Sequence, residues 1–98
     1  ALHPGYKDVW LDYFASCQSA ISQLQSGDPL TVEEHTAYNA KGQPVLRFSK
    51  RFTEELELLR EKGYVLERIK VNFILYWKGE DAEQEIRVVL PEIGFGRG

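Results

Sequence analysis

A chain of 98 residues is long enough for one hydrophobic core and too short for two, so residues 1–98 are expected to form a single domain. A hydrophobic content of 43%, 28% charged residues and a net charge of −3 exclude a disordered chain and speak against bulk attraction to nucleic acid, which usually rides on a basic domain. One cysteine permits no internal disulfide, and the longest apolar run, Phe73 to Trp77, is far shorter than the ~20 residues of a membrane span, so a cytoplasmic setting without membrane contact is expected.

In chain order, Pro4 suits the first turn of a helix, because its fixed φ is already helical and its missing N–H would be unpaired there. Tyr6, Trp10, Tyr13, Cys17, Ile21 and Leu24 then recur at steps of three and four, predicting an amphipathic helix from about Pro4 to Gln25 that Gly27 and Pro29 terminate. Aromatics at this spacing are read as core rather than as a ligand stripe, and Cys17 among them as a small buried thiol. Val32 to Tyr38 and Pro44 to Ser49 flank Asn39-Ala40-Lys41-Gly42 and predict a hairpin with Asn39 and Gln43 at its base. That register sets Ala37 opposite Val45 and His35 opposite Arg47. Thr36, Tyr38, Leu46 and Phe48 then point to the core.

Ser49 caps a second helix whose stripe is Phe52, Leu56 and Leu59, ended by Gly63. Its acidic run is a solvated helix face. Ile69 to Trp77 is the central strand, rich in β-branched and aromatic residues, and Gln84 to Leu90 pairs with it across a turn around Gly79. The glycines after Pro91 suggest a frayed tail. The order α-β-β-α-β-β predicts an α+β two-layer sandwich, with two helices on one face of a four-stranded, mostly antiparallel sheet. A cystatin-like or NTF2-like curved sheet wrapping the first helix is the alternative.

Such a sandwich leaves one sheet face bare. Straight alternation places Arg47, Arg68, Lys70 and Arg87 there with His35, Ile74 and Tyr76. Basic residues around an aromatic make a candidate binding surface, suited to a protein partner or self-association through Tyr and Arg anchors. Single-stranded nucleic acid is the second candidate, although Tyr76 alone supplies one stacking ring, and a small ligand held by a curved sheet is the third. The plainer reading is a half-wet sheet on which Arg and Lys stems cover Ile74 and Val89. An exposed edge strand offers a further route, by strand addition. Neither His3 nor His35 stands in a metal-ligand spacing, and no phosphate loop or dinucleotide fingerprint occurs, so no catalytic residue, metal or cofactor is expected. The expected function is that of a non-enzymatic binding or adaptor domain.

Overall fold

The lead segment is not one helix. In the computed structural model, which describes residues 1–97, Tyr6–Asp8 forms a 3-10 turn, Leu11–Cys17 a longer 3-10 stretch, and only Gln18–Ile21 an α-helical turn, α1. The reason lies between the first two pieces. Val9 is extended and bridges to Phe48, and the Trp10 N–H donates to the Arg47 carbonyl at 2.8 Å. A β-branched residue claimed by a sheet edge cannot continue a helix, so tertiary bonding overrides the periodicity.

The strand predicted from Val32 to Tyr38 is two strands. β1 (Pro29–Glu33) and β2 (Thr36–Tyr38) pair antiparallel around a turn at Glu34 and His35, with Glu34 in the left-handed region at φ 58°. β3 (Pro44–Arg47) follows the expected turn, closed by the Asn39 N–H on the Gln43 carbonyl at 2.9 Å. Tyr38 pairs with Pro44, but Ala37 pairs with Leu46 and Thr36 with Arg47, because Val45 is an extra residue in the ladder. The expected pairs Ala37–Val45 and His35–Arg47 are therefore displaced by one.

α2 (Lys50–Glu61) forms where predicted, with the Ser49 side chain accepting from the Phe52 N–H at 3.1 Å. β4 (Tyr64–Trp77) and β5 (Ile86–Arg97) make one long hairpin, and β5 runs on through the glycines expected to fray. Fourteen residues at ~3.3 Å each span ~46 Å, a length comparable with the 44 Å long axis of the protein.

The strand order is β3-β2-β1-β4-β5, antiparallel throughout, so the sheet has five strands rather than four. It curls, as the second of the two expected architectures has it. Its two edge strands, β3 and β5, approach each other around the segment from Leu11 to Ile21, which packs on both. The N-terminal residues bridge the remaining gap, with Leu2 paired to Ile93 on β5 and Val9 to Phe48 just beyond β3. Phe14 and Ile21 are fully buried inside, with Leu46, Phe48, Val71 and Ile93. Ala37 and Val45, and the consecutive residues Val88, Val89 and Leu90, are buried too. The five-stranded sheet curled around the lead segment corrects the flat two-layer picture. Among the described residues no helix is long and apolar enough to cross a membrane.

Candidate functional site

β4 carries two irregularities against β5, at Glu67 and at Asn72, while β5 carries none. Cross-strand partners share a face, so the even-numbered residues of β5 report which side of the sheet each β4 residue takes. Arg68 pairs with Gly94 and Lys70 with Glu92; past Asn72 the same side continues as Phe73 with Leu90, Leu75 with Val88 and Trp77 with Ile86. Ile74 and Tyr76, opposite Val89 and Arg87, lie with Ile69 and Val71 on the other side. One extra residue thus inverts the alternation, and the seven residues expected on one basic face fall into three places.

The first place holds His35 and Arg47. An Arg47 Nη2 donates to His35 Nε2 at 2.7 Å, which requires that nitrogen to be an acceptor, and the guanidinium carbon stands 4.8 Å from the centre of the Trp10 ring. The second holds Arg68 and Lys70. Lys70 Nζ reaches Glu92 at 3.2 Å, and His3 Nε2 meets the same carboxylate at 2.9 Å. These two hydrogen bonds, His3 first, hold the Glu92 carboxyl below its ordinary range. Because the folded-state value is the depressed one, the contribution to stability is complete above the ordinary glutamate range and disappears as pH falls through the lower folded value.

The third place holds Ile74, Tyr76 and Arg87, whose guanidinium lies 5.8 Å from the Tyr76 ring. Here, among the described residues, β4 has no neighbouring strand on its other side. β1 pairs with β4 only at Leu30–Ile69 and Pro29–Lys70. The loop before β1 adds the Gly27 N–H on the Val71 carbonyl at 2.7 Å, the Val71 N–H on Asp28 at 2.9 Å and the Ser26 hydroxyl on the Asn72 carbonyl at 2.9 Å. Among the described residues the strand beyond Asn72 pairs with β5 alone.

The direction of the backbone groups follows from β5. Arg87 exchanges both its backbone groups with the Gln18 side chain, and Ile93 exchanges both of its own with Leu2, so these odd-numbered residues of β5 aim away from β4. In an antiparallel ladder the residues opposite them do the same on their own side. Ile74 and Tyr76 accordingly present N–H and C=O to an open edge. The segment Phe73 to Trp77 contains no charge and no proline, the usual guards of a strand edge. Phe73 is 55% and Tyr76 66% exposed.

Alternation alone misses three contributors. Phe73 is expected in the core and stands outside, Trp10 is expected on a buried helix face and is 50% exposed, and Gln18 carries no motif at all. The run of five apolar residues at Phe73–Trp77 is the available signal, since a strand apolar on both parities cannot be assigned one wet face. The chain matches no family model, no curated protein and no solved structure.

Proposed function

We propose that the protein is a non-enzymatic interaction module that associates by strand addition at the β4 edge, and that the strand it takes up is the same segment of a second copy. The observation that supports this is the outward-facing backbone of Ile74 and Tyr76 on an uncharged, unguarded strand. The segment is complementary to itself. With a two-fold axis at Leu75, antiparallel pairing sets Leu75 against Leu75, Phe73 against Trp77 and Ile74 against Tyr76, all apolar or aromatic cross-strand pairs. Five residues of contact make a small interface, of the weak and transient class.

Sedimentation equilibrium over a range of concentrations tests it. A reversible dimer is expected, and Tyr76→Lys, which places a charge on the edge at an exposed position, is expected to abolish it with an unchanged circular dichroism spectrum. A chain that stays monomeric throughout, or a dimer indifferent to Tyr76→Lys, rejects the reading.

A second reading rests on a separate observation. The inverted alternation puts the exposed ring of Phe73 on the same side as Arg68 and Lys70, with Gly94 opposite Arg68 leaving the surface low. A ring beside two cations is the elementary unit of single-stranded nucleic-acid binding. Titration of a labelled oligothymidylate at low and moderate salt is expected to show salt-sensitive binding that Arg68→Glu with Lys70→Glu removes. Absence of binding at low salt eliminates this reading.

A further inference from the structure

The sheet curl creates a cleft that neither proposal above uses. It has a volume of about 620 Å³ and lies where the lead segment, the end of β3 and the start of α2 meet, with Trp10, His35, Arg47, Phe48, Lys50 and Thr53 among its walls. Arg47 is the residue that gives it chemical character. The residue is half-buried, and its guanidinium faces the Trp10 ring and donates to His35 Nε2. His35 Nδ1 in turn lies 3.3 Å from the Thr36 hydroxyl, a partner for the proton that Nε2 lacks. Among the described residues no carboxylate forms an ion pair with Arg47. A guanidinium has five N–H donors in a planar fork, and one of these is engaged by His35.

A half-buried cation normally has a counter-charge, because removing it from water is otherwise uncompensated. Here the cation is fixed in orientation, a second cation, Lys50, stands on the same wall, and Glu54 is the carboxylate that shares the lining. Val9, Phe48 and the indole of Trp10 make the apolar part of the lining, beside the hydroxyl side chains of Ser49 and Thr53. We infer that this cleft binds a small organic oxyanion, a carboxylate or phosphate carried on an apolar or aromatic body. The oxyanion receives the free side of the Arg47 fork, and the body lies along Trp10 and Phe48. A fork matched to two oxygens serves carboxylate and phosphate alike, so the experiment separates these sources.

In a Trp77→Phe background Trp10 is the only tryptophan, and its fluorescence reports directly on the cleft. Phenylacetate, adenosine monophosphate and inorganic phosphate are titrated separately. Saturable quenching by phenylacetate or by the nucleotide, tighter than any response to inorganic phosphate, is the expected result, and whichever binds names the anion. Arg47→Gln is expected to weaken binding about tenfold or more. Arg47→Lys keeps the charge and loses the fork, so it is expected to weaken binding as well while leaving the thermal midpoint near that of the parent. No saturable response to any of the three overturns the inference, as does equal binding of inorganic phosphate alone or full affinity in Arg47→Lys.

Discussion

Phe14→Ala is expected to lower the free energy of unfolding by about 3–5 kcal/mol, the range for deleting a buried ring and leaving its cavity. Phe14 is fully buried inside the curl of the sheet, in the 3-10 stretch that packs on β3 and β5. Total stabilities of domains lie at about 5–15 kcal/mol, so this one substitution removes a large part of the whole. Urea denaturation checks it, as a fall in midpoint with the slope retained. The informative comparison is with Trp10→Ala. A continuous amphipathic helix would bury Trp10 and Phe14 on one face, four residues apart, and both substitutions would then be severe. In the observed path Trp10 is half exposed, and the expected cost is under half that of Phe14→Ala. Equal costs at the two positions would restore the continuous helix.

That comparison also shows where sequence reading succeeds and where it stops. Local signals hold wherever a residue acts through its own backbone. Ser49 caps α2, and Gly42 and Gly63 take positive φ at the turn and helix end assigned to them; Gly27 takes positive φ too, but α1 already ends at Ile21, so it caps no helix. α2 and the β4–β5 pairing follow from composition and period. The failures share one cause, a partner distant in sequence. Val9 leaves its helix because Phe48 is available to it, and Glu34 accepts a left-handed turn with no glycine or asparagine to announce it. The three extra residues, Val45, Glu67 and Asn72, look like ordinary strand residues, yet each shifts the ladder by one.

The candidate site suffers most from this. A period of two carried unbroken through Asn72 groups its seven residues on one face, whereas a single extra residue separates Tyr76 from Lys70. What survives is smaller and better defined. Ile74, Tyr76 and Arg87 remain together at one end of the hairpin, and His35 and Arg47 remain together in the cleft. Arg47 and His35 meet although the predicted pairing was displaced, because the turn at Glu34 brings the imidazole back over the end of β3.

Gln18 explains why one edge of the sheet is open and the other is not, and its replacement is the second substitution expected to matter most. The side-chain oxygen accepts the Arg87 N–H at 2.9 Å, and the side-chain nitrogen donates to the Arg87 carbonyl at 2.8 Å and to the Phe14 carbonyl at 2.8 Å. One amide side chain thus stands in for a neighbouring strand at Arg87, as the Leu2 backbone does at Ile93, and Pro91 between them has no N–H to offer. Gln18→Leu keeps the bulk and strands both Arg87 groups, with an expected cost of about 1–3 kcal/mol and faster amide exchange at Arg87. Gln18→Glu separates the two roles. Its carboxylate can still accept the Arg87 N–H but faces two carbonyl oxygens with no proton to give, so its folded-state pKa is raised. The sign follows: relative to the parent, this variant is expected to be most stable at low pH and to lose stability as pH rises through that raised value. Denaturation curves of Gln18→Glu against pH test this, and a variant as stable at neutral pH as the parent would show that β5 is not guarded by this amide.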